Sequence, residues 1–177
     1  MENYLVNTFR SIAATFAIFI LTLSSISYAR AADPNAVCAK VPASTVKADV
    51  GGTPNTPGVG TGSANFFGFP MAEITCTYSA NINITFGTPA TSGNFLKAKT
   101  TLSHATAITP ISGIGDGAFS GIGNNTVCSG TGVQKCVQQK SAKVWFYKKN
   151  KFFVIVEVVN GNATGAAKLA KDVASKI

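Results

Sequence analysis

The sequence is poor in the residues that build metal and phosphate sites. It has one histidine, His104, among 177 residues, which excludes a metal centre with several histidine ligands. No two cysteines have the Cys-x-x-Cys spacing of a zinc or dithiol site. The glycine-rich stretch Gly58–Gly62 lacks the Gly-Lys-Ser/Thr ending of a phosphate-binding loop, so we interpret it as flexible. We therefore predict no metal and no cofactor.

Charged residues are also scarce. They make up 12% of the chain, against 46% hydrophobic residues, and the formal net charge is +8. This balance is typical of a folded chain rather than a disordered one, and the length suits a single domain.

The first 31 residues have the layout of a secretory signal peptide. Arg10 precedes an apolar centre, Ile12–Leu23, and the small residues Ala29 and Ala31 flank Arg30. We predict cleavage after Ala31, with Ala29 as the nearby alternative; an uncleaved membrane anchor is the other interpretation, although its apolar centre is short for a bilayer span. The prediction is thus a signal over 1–31 and one domain over 32–177.

Removal of the signal changes the charge pattern. Both arginines of the chain and one of its seven acidic residues lie in the signal. The part that remains has 13 lysines, no arginine and six acidic residues, so its net charge is +7. Bidentate recognition of phosphate favours the planar guanidinium of arginine. We accordingly expect no nucleic acid partner.

Four cysteines follow the signal, and in an exported chain they predict two disulfides. Three connectivities are possible. Cys128 and Cys136 bracket a short, flexible, seven-residue segment, Ser-Gly-Thr-Gly-Val-Gln-Lys, so loop closure favours their pairing and leaves Cys38 with Cys76. The predicted location is secreted or periplasmic.

The hydrophobic pattern predicts an α+β fold, a single antiparallel sheet with helices packed on it. The hairpin of Lys143–Lys148 and Lys151–Val159 is apolar on both faces, so we place it centrally and covered on both sides. Alternation along the strands places Trp145 and Tyr147 on one face of this hairpin, and it places Glu73, Thr75 and Thr77 on one face of the strand over 73–79. Around it the pattern predicts a short leader over 32–37, a helix over 42–50, an irregular loop over 51–65, a hairpin of 73–79 with 83–86, a helix capped by Ser92 and reaching Ser103, a strand over 105–111, a turn over 114–119 that leads into a short strand, a polar excursion over 121–141 and an amphipathic helix over 163–177.

Several short motifs resemble a known family. They are Asp33-Pro34 ahead of Cys38, Thr75-Cys76-Thr77-Tyr78, the glycine-rich turn Ile111–Phe119 and the Ala/Lys-rich C-terminal helix. Together they resemble the uncharacterised small exported bacterial proteins and lipoproteins that open with Asp-Pro-Cys, and they are similar to extracellular sensor domains of bacterial serine/threonine kinases. The resemblance implies an α+β fold held by disulfides and no catalytic residue. Three residues separate Pro34 from Cys38 here, and no cysteine sits in a lipidation context.

Three residues are candidates for catalysis. His104 has the side chain best suited to act as a base near neutral pH, but a histidine at a helix C-terminus is also favourable without catalysis. Asp116 lies between two glycines, where turn chemistry with the carboxylate accepting backbone N–H groups is the favoured interpretation. Glu157 lies on an apolar strand, where a salt bridge to a lysine is expected.

Two clusters are candidates for a binding surface. The first is Phe66, Phe67 and Phe69, which either form an apolar binding patch or, in the interpretation we favour, supply core packing. The second combines lysines with two aromatic residues, which could bind an anionic envelope polymer; protection of strand ends against aggregation is the interpretation we favour for its lysines. It comprises Lys143, Trp145, Tyr147, Lys148, Lys149 and Lys151.

The function predicted from these features is an exported, non-catalytic binding or sensor-like domain. Its partner is an unidentified envelope component or protein, membrane contact arises only through an uncleaved signal, and the protein is a monomer. A small envelope hydrolase that uses His104 with Asp116 or Glu157 is one alternative. A structural or stress-related envelope protein is the other.

Overall fold

The computed structural model describes residues 33–129 and 135–177, in which four helices accompany seven strands. The helices are α1 (Pro34–Ala39), α2 (Ala43–Val50), α3 (Ser92–Ala105) and α4 (Ala163–Lys176). The strands are β1 (Gly58–Phe66), β2 (Phe69–Ser79), β3 (Ile82–Thr88), β4 (Ile108–Ile111), β5 (Gly117–Ser129), β6 (Lys135–Lys148) and β7 (Phe152–Val159).

All seven strands form one sheet in the order β1-β2-β3-β7-β6-β5-β4, and every neighbouring pair is antiparallel. The predicted class, a single antiparallel sheet with helices on it, is confirmed. The β6–β7 hairpin lies at the centre, as its two apolar faces predict, and Asn150 in its turn has the positive φ of 59° that such a turn needs. Asp33–Ile177 forms one compact unit.

One face of the sheet, which we call face A, packs against α1, α2 and α4. Alternate residues of the central strands, such as Val144 and Val156, meet Leu169 and Val173 of α4 in a closed core. The amphipathic stripe predicted for this helix is buried as expected. Within the described residues the central strands of face A are therefore buried beneath these helices.

The disulfide Cys38–Cys76 and the side chain of Tyr78 tie α1 and the segment that follows it to β2. The two cysteines have Cα atoms 5.5 Å apart, and the buried Tyr78 hydroxyl donates a hydrogen bond to the carbonyl of Val41. Burial raises the pKa of Tyr78 to about 12. Both attachments lie on face A, so they hold the N-terminal helix against the core.

The opposite face, face B, carries a second core around α3. Phe95 and Ala98 of this helix pack with Phe119, Trp145 and Phe153 of the sheet. The helix cap is Thr91, whose side chain accepts a hydrogen bond from the N–H of Asn94; the prediction that Ser92 is the cap was wrong by one residue. Because α3 covers only one end of face B, none of the described helices covers the rest of that face.

Three stretches differ from their predictions. Residues 34–39 form α1 rather than an extended leader, and residues 58–66 form β1 rather than a loop. The polar excursion over 121–141 is largely strand, because β5 and β6 continue as a two-stranded ribbon. β1 and the ribbon of β5 and β6 lack an alternating apolar face, since they lie at or beyond the edge of the core. They are held by backbone pairing with a neighbour rather than by burial of their own side chains.

The one complete disulfide among the described residues is Cys38–Cys76. Cys136 is itself disulfide-bonded and its Cα lies opposite that of Cys128 in the β5–β6 ladder. The side chain of Cys128 and the predicted signal over 1–31 lie outside the described residues. In the part of the chain that is described, no helix is both long and apolar enough to cross a membrane.

Candidate functional site

Trp145, which the sequence placed on a binding surface, is buried. Its side chain is 4% exposed, and its ring stacks on Phe119 with centroids 5.2 Å apart and planes at 20°. Tyr147 is half-buried and packs against Phe95 of α3 with ring centroids 4.7 Å apart. Trp145 therefore belongs to the core of face B, and its assignment to a contact surface was wrong because α3 covers this end of the sheet.

The three phenylalanines of the β1–β2 hairpin also contribute to this core. Phe69 is 8% exposed, so it is not part of an exposed patch. Phe66 and Phe67 are half-buried, with their rings 4.7 Å apart edge to face. Phe66 also lies 5.6 Å from the ring of Phe153 in the central hairpin. Core packing thus explains Phe69. Phe66 and Phe67 lie at the margin of the same core, and part of each ring is exposed to solvent.

The lysines of the central hairpin do not form one cationic surface. The Nζ of Lys143 lies 2.8 Å from Oε1 of Glu157, as the salt-bridge interpretation of Glu157 predicts. The Nζ of Lys148 donates hydrogen bonds to the carbonyls of Ala174 and Ile177 at the end of α4. Only Lys149 and Lys151 of this cluster are exposed.

The three candidate catalytic residues do not contact one another in the described part of the chain. His104 is exposed in the last turn of α3. Asp116 accepts a hydrogen bond at 2.6 Å from the backbone N–H of Lys149. Its carboxylate accepts a backbone N–H as expected, but from the turn between β6 and β7 rather than from its own turn. Within residues 33–129 and 135–177, no hydrogen bond or ion pair joins His104 to Asp116 or to Glu157. The hydrolase hypothesis needs those contacts.

The part of face B that no described helix covers forms a polar surface, which we call the open strip. It crosses β2, β3, β7 and β6 beside the end that α3 covers, and its residues lie opposite one another in the strand register. All of its side chains are at least partly exposed. The open strip consists of Glu73, Thr75, Thr77, Asn83, Thr85, Ile155, Glu157 and Lys143.

Hydroxyl and amide groups dominate the open strip. Thr75 and Thr85 are cross-strand neighbours with their hydroxyl oxygens 3.2 Å apart, while Thr77 lies opposite Asn83. Each threonine hydroxyl both donates and accepts hydrogen bonds, and the amide of Asn83 does the same through its two ends. The open strip therefore presents a row of donors and acceptors fixed on rigid strands.

The charge of the open strip differs from that of the protein as a whole. Lys143 is the one basic side chain on it, and Glu157 pairs with Lys143. Glu73 adds a carboxylate that forms no hydrogen bond or ion pair in the described residues. The open strip therefore carries a slight negative charge on a basic protein, which disfavours anionic ligands.

Two cavities at the surface of the described residues bear on the candidate site, and neither brings His104 together with Asp116 or Glu157. A cavity of about 10 Å³ beside the open strip, lined by Phe66, Glu73 and Thr85 among others, has room for about one water molecule. A wider recess of about 290 Å³ at the start of α4 is lined by Asn160, Asn162 and apolar or glycine residues. It contains no titratable side chain. The described residues contain no group of three or more His, Cys, Asp or Glu side chains placed to hold a metal ion.

Sequence reasoning identified the face shared by Glu73, Thr75 and Thr77 but not its exposure. The alternation of threonine with Ile74, Cys76 and Tyr78 was the available signal. Whether a helix covers the polar side of such a strand depends on contacts distant in sequence, and the pattern of β2 alone does not contain that information.

Comparison with known proteins finds no relative. No protein-family model matches the chain, and neither a curated protein nor a solved structure matches it. The resemblance to small exported bacterial proteins therefore stays a prediction.

Proposed function

We propose that this protein is an exported, non-catalytic binding domain that recognises a neutral, hydroxyl-rich component of the cell envelope on the open strip. One observation supports this proposal above the others. Helices or aromatic side chains cover face A and one end of face B, whereas a four-strand-wide part of face B stays open and polar. A surface that folding does not use, on a rigid scaffold, is the natural place for recognition.

The chemistry of the open strip favours a glycan. Thr75, Thr77 and Asn83 offer hydrogen-bond partners to hydroxyl and amide groups without adding positive charge. Phe66 lines the cavity that adjoins Glu73 and Thr85, so its half-exposed ring stands beside these polar groups as an apolar contact for one face of a sugar. An anionic polymer would instead meet the unpaired carboxylate of Glu73.

Export is part of the proposal. The signal-like pattern over 1–31 and the Cys38–Cys76 disulfide both suit a protein that folds in an oxidising compartment. We infer a second disulfide between Cys128 and Cys136, since Cys136 is disulfide-bonded and faces Cys128 across the β5–β6 ladder. This cross-link would close the tip of the ribbon.

The absence of catalysis is also part of the proposal. Two of the three candidate residues serve structural contacts, because Asp116 accepts the N–H of Lys149 and Glu157 pairs with Lys143. The third, His104, is exposed in the last turn of α3. Hydrolysis needs a nucleophile, a base and an orienting group within hydrogen-bond reach of one another. On the open strip the hydroxyls of Thr75 and Thr85 hydrogen-bond to each other, and in the described residues neither bonds to the carboxylate of Glu73.

The test uses a tetramer of N-acetylglucosamine, a neutral glycan rich in hydroxyl and amide groups, as the probe in isothermal titration calorimetry. The double variant Thr75→Val/Thr85→Val removes both central hydroxyls while keeping a β-branched shape, and we expect it to weaken binding about tenfold. Thr109→Val on β4, at the far edge of the sheet, is the matched control and leaves binding unchanged. Equal binding by the double variant, or no binding by the unmodified protein, contradicts the proposal.

A further inference from the structure

The two edges of the sheet are protected to different degrees. The edge strand β4 has four residues with Pro110 inside it, and a short strand with a proline resists pairing with another chain. The other edge strand, β1, has nine residues with the sequence Gly-Val-Gly-Thr-Gly-Ser-Ala-Asn-Phe. It contains no charged residue and no proline, and its pairing with β2 runs without a bulge. It therefore lacks the usual protection of an edge.

The turn at the end of β1 determines which backbone groups face outward. Phe67 and Gly68 both have positive φ, 49° and 81°, as in a two-residue hairpin loop, and they connect the paired residues Phe66 and Phe69. Such a loop closes on a hydrogen-bonded pair, and hydrogen-bonded pairs alternate with non-hydrogen-bonded pairs along the ladder. Every second residue before Phe66 thus bonds to β2, and the residues between them point their N–H and C=O groups outward.

The outward set is Val59, Thr61, Ser63 and Asn65. All four are exposed, and elsewhere in residues 33–129 and 135–177 no backbone group pairs with theirs. Their N–H and C=O groups form a row that a further extended chain can pair with. A row of this kind is the acceptor in recognition by strand addition.

Three glycines leave most of β1 without side chains on face B. Gly58, Gly60 and Gly62 occupy alternate positions and face Thr77, Thr75 and Glu73 across the ladder. A Cβ at Gly58 or Gly60 would approach no atom closer than 3.9 Å, and neither glycine has a positive φ. Neither crowding nor backbone conformation within the protein requires glycine at these two positions. Glycine inside a strand often marks the close approach of a ligand or another backbone.

We propose that β1 accepts an extended peptide as an eighth strand, with bulky side chains at every second position of the peptide lying over Gly58, Gly60 and Gly62. Main-chain hydrogen bonds to the outward set supply the pairing. Bulky residues on a neighbouring strand fill the space that glycines leave, an arrangement known to compensate for glycine in edge strands. This interaction goes beyond glycan recognition on the open strip and does not depend on it.

A peptide suits this edge better than a second copy of the protein. Suppose that two β1 strands pair antiparallel over all nine residues. Gly60 of one chain then lies opposite Ala64 of the other, and Gly62 lies opposite Gly62 of the other. The space over these glycines then stays almost empty. Two copies would also bring together chains that each carry +8 before any processing, and like charges disfavour association.

The experiment measures binding of a fluorescent nine-residue peptide, Glu-Thr-Tyr-Thr-Tyr-Thr-Tyr-Thr-Glu, to the full chain expressed into an oxidising compartment. A peptide of the same composition with its tyrosines adjacent is the control probe. The variant Thr61→Pro removes one outward N–H without removing a bond to β2, because proline is tolerated where the N–H faces solvent. Thr61→Val keeps that N–H and is the matched control.

We expect the alternating peptide to bind at least about tenfold more tightly than the control peptide, and Thr61→Pro to lose about tenfold in affinity. Gly60→Val retains every backbone group but fills the space over the glycines, so it loses affinity even if Thr61→Pro folds poorly. Thr61→Val binds the peptide within about twofold of the unmodified protein. Glycan binding is measured on the same variants, and Thr61→Pro, which changes only the outward backbone of β1, binds the glycan as the unmodified protein does.

Three outcomes overturn the inference. The first is equal affinity for the two peptides, and the second is unchanged affinity in both Thr61→Pro and Gly60→Val. The third is a dimer in sedimentation velocity that Thr61→Pro dissociates, since this result assigns the edge to a second copy of the protein.

Discussion

Lys143 and Glu157 are paired directly across the two central strands, with Nζ and Oε1 2.8 Å apart. Their side chains are 24% and 17% exposed, so both charges are partly shielded from water. The contact is an ion pair rather than a well-directed hydrogen bond, since Oε1 of Glu157 has no hydrogen-bond partner of good geometry. This pair neutralises the end of the open strip that lies on β7 and β6.

The first prediction concerns this pair. Lys143→Met leaves the carboxylate of Glu157 without its cation, and we expect the free energy of unfolding to fall by about 1 kcal/mol. Lys143→Met/Glu157→Met removes both charges and loses less than the sum of the single variants. Urea unfolding of the four proteins measures the coupling. Additive losses would show that the two side chains do not interact.

The second prediction concerns the cross-link between α1 and β2. Cys38 and Cys76 are 38 positions apart in sequence, so the bond limits a long loop in the unfolded chain. Replacing both with alanine should lower the free energy of unfolding by about 3–4 kcal/mol on the chain-entropy estimate. Reduction of the unmodified protein should lower it by at least as much, because reduction also opens the disulfide that we infer between Cys128 and Cys136. A midpoint that does not respond to the double replacement contradicts this role.

The third prediction separates two lysines of the central hairpin. The Nζ of Lys148 bonds to the carbonyls of Ala174 and Ile177, where a cation also interacts favourably with the C-terminus of α4. Lys148→Met should therefore lower the free energy of unfolding by about 1–2 kcal/mol. Lys151→Met is the matched control, because Lys151 is exposed and its side chain forms no bond in the described part of the chain. Equal effects of the two changes on the thermal midpoint would contradict this distinction.

The fourth prediction follows from Tyr78, whose pKa burial raises from 10.0 to about 12. The unfolded protein loses the phenolic proton near pH 10, whereas the folded protein keeps it until about pH 12. The stabilisation from the neutral phenol is complete below pH 10 and is lost as the pH rises to 12, by up to about 2–3 kcal/mol. Tyr78→Phe lacks this component, so its stability should fall less over the same range in urea titrations. A parallel decline in the two proteins would contradict the assignment.

The strands that bury apolar side chains could be predicted from the sequence, and the edge strands could not. The central hairpin has Val154, Val156 and Val158 alternating with Phe153 and Ile155, and this pattern placed it correctly. In β1 alternate positions are glycine, so nothing in its own residues marks a strand. Pairing with β2 holds it in place, and that partnership depends on residues elsewhere in the chain.

In the candidate site, too, the sequence predicts which residues share a face but not which face is exposed. The sequence predicted that Trp145 and Tyr147 share a face, and they do, but α3 covers that end of the sheet and buries Trp145. It also predicted that Thr75 and Thr77 share a face. The position of α3 decides which of these two regions is open, and this packing is a tertiary contact that periodicity does not encode.

The central claim, that the open strip is the binding surface, is tested most directly by following the backbone amide signals of the protein in NMR during titration with the N-acetylglucosamine tetramer. We predict that the largest shift changes fall on Thr75, Thr77, Asn83 and Thr85, and that the amides of Lys149 and Lys151 stay unmoved. Changes centred on Lys149 and Lys151, or a titration in which the amides of the open strip do not move, would contradict the claim.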